Sequence, residues 1–251
     1  MGLALLGAVR SSPGTTTAAL AIAGCIAQSV VIEGDPDGTA IAPRYRLGRE
    51  PNVASLATAA RTTLDPDLLA QHCHQLPGGV PAVIGLASPD RSVSFWRNAG
   101  PGLAAALAGV RDHEIILDAG RLGPTSPIIP LVDHADITVL VARPTPEELL
   151  ALSHRLPVIR ERARACAILL VGERPYSRAE VARQLDVEVL GVIAHDPAAA
   201  QALAGTGDGR SLRRSALARS ARETAQDLVD RFGRMPAAKV DAVAHEEVVS
   251  L

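Results

Sequence analysis

Aromatic side chains are nearly missing: one Trp, two Tyr and two Phe make up 2% of the 251 residues. A surface that stacks single-stranded nucleic acid on rings is therefore excluded, and the core has to be aliphatic. Cysteine is also scarce. Cys25, Cys73 and Cys166 form an odd set with no C-x-x-C spacing, which excludes a disulfide-stapled fold and fits a reducing compartment, the cytoplasm. Charge of one sign is missing too, since 25 Lys+Arg face 27 Asp+Glu for a net charge of -2. No global basic field exists to hold nucleic acid by counterion release. The basic cluster Arg210, Arg213, Arg214 and Arg219 reads as the solvated start of a helix. No apolar run approaches the roughly 18 residues that a membrane-crossing helix needs. The N-terminal apolar segment lacks a basic leader and is interrupted at Arg10-Ser11-Ser12-Pro13-Gly14, so an export signal is not expected. The C-terminal segment lacks a Lys/Arg-rich amphipathic face for docking on anionic lipid.

What is present is 47% hydrophobic residues in a regular alternation. Short apolar runs at 3–9, 29–33, 82–87, 114–119, 137–142, 166–171 and 187–193 read as strands buried on both faces. Between them lie helical stretches at 18–28, 52–61, from 65, 94–110, 144–163 and 177–185, with Asn52 and Asp65 placed as caps. The pattern predicts an α/β protein: one doubly wound, mostly parallel sheet of about seven strands with helices on both faces. Residues 1–232 are expected to form a single domain, and 233–251 a frayed tail.

In such a sheet, ligands sit beyond the carboxyl ends of the strands, where loops meet helix N-termini. The first of these loops is Arg10-Ser11-Ser12-Pro13-Gly14-Thr15-Thr16-Thr17. Gly14 permits close backbone approach, the following amides point along a helix start, and three hydroxyls can donate or bind Mg²⁺. An ordinary helix cap would look the same. The loop after the second strand, Glu33-Gly34-Asp35-Pro36-Asp37-Gly38, and that after the 114–119 strand, Asp118-Ala119-Gly120, place carboxylates toward the same crevice.

Together these three loops resemble those of the MinD/ParA family of deviant Walker-box P-loop ATPases. Ala135-Asp136, Arg143-Pro144-Thr145 and Val189-Leu190-Gly191-Val192-Ile193-Ala194-His195-Asp196-Pro197 extend the resemblance, which covers roughly residues 1–232. It implies ATP or ADP with Mg²⁺ as cofactor. The phosphates would lie on Ser11, Ser12, Gly14, Thr15, Thr16 and Thr17, with Asp196 and Pro197 also on the nucleotide. The Mg²⁺ would lie on Thr16, Asp118 (through water) and Asp35. Asp35 would orient the attacking water, and Arg10 would reach across a homodimer to the partner's nucleotide.

The departures from the family pattern bear on activity. Thr15 stands where the phosphate-binding Lys belongs, which removes a principal cation from the β/γ-phosphates. Ser11 and Ser12 replace two glycines, and positive φ is costly for serine. Gly172 stands where relatives carry an adenine-reading Asn. Such degeneration resembles the TadZ/CpaE-like branch, which localises pilus and secretion machinery. It implies a positioning or assembly factor with weak or no ATPase activity. An active partition ATPase and an ATP-dependent ligase of the dethiobiotin-synthetase kind are the alternatives.

The remaining features have plainer readings. His72-Cys73-His74 lacks a fourth ligand at metal spacing and reads as a surface helix end. No G-x-S-x-G elbow accompanies Ser11, Ser12 or Ser126, so a hydrolase triad is not expected. Cys25 and Cys166 lie in apolar elements as core fillers. Phe95 and Trp96 anchor the helix that follows them.

Overall fold

The computed structural model describes residues 2–110, 112–205 and 212–232. The expected 233–251 tail and Arg210 of the basic cluster fall outside them. Strands β1 (Leu3–Ala8), β2 (Ser29–Glu33), β3 (His74–Gln75), β4 (Pro81–Val83), β5 (Glu114–Arg121), β6 (Ile137–Ala142), β7 (Cys166–Val171) and β8 (Val189–Ile193) form one sheet in the order β3-β4-β2-β5-β1-β6-β7-β8. All neighbours are parallel except β3, which runs antiparallel to β4 at the edge. The seven expected strands are thus joined by a two-residue eighth, too short to leave a periodic signal. His74 lies in it, whereas His72 caps the helix before.

Ten α-helices are described: α1 (Thr15–Ala23), α2 (Ile41–Arg44), α3 (Val53–Ala59), α4 (Pro66–Gln71), α5 (Pro89–Asn98), α6 (Gly100–Gly109), α7 (Pro146–Arg160), α8 (Arg178–Leu185), α9 (Pro197–Leu203) and α10 (Ala216–Phe232). Alternation along each strand divides the core between the two faces. Leu6, Val31 and Ile116 pack with Leu20 and Ile22 of α1 and Leu228 of α10. Leu5, Ile32 and Leu117 pack on the opposite face with Trp96, Leu107 and Leu156. Asn52 and Asp65 cap α3 and α4 as expected, the first through a reciprocal box with Ser55. The helix expected over 94–110 is two helices. Pro101 has no N–H to continue a ladder and its ring crowds the preceding turn, so the chain restarts at Gly100. The first helix starts three residues earlier than the apolar pattern suggested, at Thr15. That shift brings the threonines into its first turn.

Candidate nucleotide site

β1 is central, flanked by β5 and β6, so the loop leaving its carboxyl end opens where the sheet's winding reverses. Gly14 turns the chain into α1 with φ 109 and ψ 34, a left-handed conformation that disfavours any residue with a Cβ. No side chain caps α1. Its first-turn N–H groups therefore face the loop without an intrahelical or side-chain acceptor. Ser11 holds φ at 60, so the serine substitution has not abolished the positive-φ turn. It carries a cost of about 1–2 kcal/mol relative to an unstrained residue. Arg10, Ser11 and Ser12 are exposed, Thr16 and Thr17 are half-buried, and Thr15 is buried. The Glu147 carboxyl beside this loop is lowered by its own backbone N–H, then the Thr145 hydroxyl, with the Arg10 guanidinium contributing least.

Two buried carboxylates stand side by side, Glu33 at the end of β2 and Asp118 within β5, as register partners. Glu33 is wholly engaged. Its Oε1 accepts the Ala40 N–H at 2.6 Å and the Ile41 N–H at 2.8 Å, while Oε2 accepts the Gly85 N–H at 2.8 Å and the Thr39 hydroxyl. It is a structural pin rather than a member of the ligand set. Asp118 is fully buried; Oδ1 accepts the Gly120 N–H at 3.2 Å, and Oδ2 has no partner. Burial raises its pKa to about 7, opposed by the Thr16 hydroxyl and the Gly120 N–H. Asp35, half-buried, is also raised, chiefly by burial. Its carboxyl lies over Gly120, where φ is +57 and an added Cβ would stand 2.2 Å from Asp35 Cγ. Only glycine lets these two loops approach. Beneath them, the Ser92 hydroxyl donates to the Asp35 carbonyl at 3.1 Å, and a Cβ on Gly34 would stand 3.5 Å from the Trp96 ring.

On the other side of the α1 N-terminus is a cavity of about 320 Å³, walled by Gly14, Thr17, Val171, Ile193, Asp196 and Pro197 among others. Asp196 caps α9, its Oδ1 accepting the Ala199 N–H at 3.0 Å. Gly172 at φ 81 offers no side chain there. Arg143 joins this wall, and its Nη2 donates to the Ser12 carbonyl at 3.4 Å. In the sequence Arg143 stands out only through the Arg143-Pro144-Thr145 resemblance. Its place directly after an apolar strand was visible in the sequence; that this strand pairs with β1 was not.

The sequence-predicted residues therefore gather around one helix start, Asp35 and Asp118 on one flank and Asp196 and Pro197 on the other. His72, Cys73 and His74 do not form a metal centre. The two rings contact the Leu68 and Pro51 carbonyls, and burial pushes the Cys73 thiol up to about 12. Cys25 and Cys166 are half-buried rather than fully buried, their thiols also raised by burial. Among the described residues no three His, Cys, Asp or Glu side chains cluster to hold a metal unaided. Mg²⁺ does not require such a cage, since it takes one or two carboxylates plus water and phosphate. The orphaned Asp118 oxygen beside Thr16 fits that demand.

A parallel α/β sheet whose central strand turns through a left-handed glycine into an uncapped helix offers the kind of helix start that can receive an anion. The chain has the MinD/ParA form of that fold, as the solved structures show. MinD, the septum site-determining protein of Pyrococcus horikoshii, solved with Mg-ADP, matches with TM-score 0.70 and 17% identity over 90% of this chain and 95% of that one. A ParA family ATPase from Chlorobium tepidum matches with TM-score 0.65 and 14% identity over 88% and 96% of the two chains. A variant of Cyanothece McdA in complex with ATP gives 0.64 and 12% over 91% and 95%. No protein-family model and no curated protein matches the sequence. No described helix is long and apolar enough to cross a membrane.

Proposed function

We propose that this chain is a MinD/ParA-like nucleotide-binding protein with a degenerate Walker A loop. It acts in the cytoplasm as a positioning or assembly factor of the TadZ/CpaE kind, with weak or no ATP hydrolysis. The observation that carries the reading is a mismatch within one loop. Ser11 and Gly14 keep the positive-φ turns of an anion cradle, and Asp118 keeps an unpaired oxygen, yet the buried side chain in the Lys position is the neutral Thr15. Amides of the first α1 turn bind the phosphates, and the apolar part of the cavity takes the base. Thr16 and Asp118 hold Mg²⁺, which when bound neutralises phosphate charge; a cation there favours the ionised form of Asp118. Asp35 orients water. The exposed Arg10 is available to a nucleotide on a second copy of the chain, which supports nucleotide-assisted homodimerisation.

Titration with ATP and ADP, with and without Mg²⁺, alongside a turnover assay tests the reading. Saturable, Mg²⁺-dependent binding with turnover well below that of Thr15→Lys is the expected result. No binding at millimolar nucleotide removes the nucleotide role, and fast wild-type turnover replaces it with an active partition-type ATPase. Sedimentation of wild type and Arg10→Ala with saturating Mg²⁺-ATP tests assembly; a wild type that stays monomeric overturns the dimer.

A further inference from the structure

We propose that Arg143 supplies, in cis, the positive charge on the nucleotide phosphates that Thr15 no longer provides. The proposal rests on the nucleotide-binding reading above and adds a residue to it. Two carboxylates, Asp35 and Asp118, lie beside the α1 N-terminus, next to Glu33, whose own carboxylate is occupied by four donors. A polyanion entering beside them needs a cation, and Thr15 is neutral. The fully buried Asp118 oxygen without a partner lies beside this helix start and, being costly to leave unpaired, suits a ligand that completes it.

Arg143 is placed to answer that need. It directly follows β6, which pairs with β1 in parallel, so it emerges at the same end of the sheet as the phosphate loop. Its backbone is fixed: the N–H donates to the buried Glu148 carboxylate at 2.7 Å, and the carbonyl accepts the Thr145 N–H at 2.8 Å. From that fixed root the exposed side chain crosses to the loop and reaches the Ser12 carbonyl at 3.4 Å. That contact uses one of five guanidinium donors. The cavity wall that Arg143 shares is made by Gly14 and Thr17, not by Asp35. The charge therefore lies on the Gly14 and Thr17 side of the loop rather than beside Asp35, and ADP is expected to benefit as much as ATP. A guanidinium in this place holds nucleotide without favouring the transferring phosphate, in keeping with slow turnover.

The test is titration of the full chain with Mg²⁺-ATP, Mg²⁺-ADP and adenosine, comparing wild type with Arg143→Ala and Arg143→Lys. Loss of charge-assisted hydrogen bonds in Arg143→Ala is expected to weaken ATP and ADP alike by about tenfold or more, leaving adenosine unchanged. Arg143→Lys is expected to recover part of the loss. In a Thr15→Lys background the cost of Arg143→Ala is expected to shrink, because the two cations then serve one charge. Wild-type binding that Arg143→Ala leaves unchanged, or a loss equally large for adenosine, overturns the assignment while the nucleotide reading stands. A wild type that binds no nucleotide overturns both.

Discussion

Glu33 and Asp118 are neighbours in the sheet, both buried, both acidic, and opposite in what surrounds them. Four donors converge on Glu33, from the loop after β2, the start of α2 and the end of β4. Asp118 has one backbone donor, with the Thr16 hydroxyl nearby, and its Oδ2 has no hydrogen-bond partner. Burial alone cannot separate a structural acid from a ligand-binding one. The number of donors can, since a buried charge without partners is costly unless a ligand completes its shell.

Substitutions at four positions probe this contrast, from the largest effect to the smallest. Glu33→Ala leaves several buried donors unpaired and is expected to lower unfolding stability by about 3–5 kcal/mol in urea titration. Glu33→Gln, which keeps one acceptor, costs less. An unfolding cost under about 1 kcal/mol for Glu33→Ala would mean that water satisfies those donors as well. The folded pKa of Asp118 lies above the ordinary 3.8, at about 7. Its contribution to stability is thus complete below the unfolded value and is lost as pH rises through the folded one. Over that window wild type is expected to lose up to about 4 kcal/mol on this account. Asp118→Asn should flatten the profile of urea midpoint against pH; parallel profiles would show that Asp118 does not titrate there. Gly120→Ala forces a Cβ into the Asp35 carboxyl at a left-handed backbone position. It is expected to cost about 2 kcal/mol and to weaken Mg²⁺-dependent binding. Binding that survives unaltered would detach Asp35 from the ligand. Ser11→Gly relieves positive φ at the expense of chain entropy, so a gain of less than about 1 kcal/mol in thermal unfolding is expected.

The parallel sheet and the position of Asp118 were legible because each strand is a bounded apolar run, and the acid marks where it stops. Glu33 was legible as an acid at the same level, but its donors were not. The Gly85 N–H lies 52 positions away, and no local pattern announces it. Arg143 meets Ser12 across 131 positions, brought there only by the pairing of β6 with β1. The break between α5 and α6 had a local cause in Pro101, outweighed by the apolar spacing on either side. The two-residue β3 exists only through its pairing with β4, so the sequence carried no period for it.

The scarcity of aromatic residues has an optical consequence. Trp96 is the sole tryptophan, buried in an apolar setting with its indole N–H unpartnered and the Phe95 ring edge-on at 4.9 Å. It lies directly under Gly34 and is one helix turn from Ser92, which holds the Asp35 carbonyl. Ultraviolet emission from this protein has one dominant source, and that source rests against the loop that carries Asp35. Any ligand that moves the loop writes its arrival into the colour and intensity of a single fluorophore, with no label added.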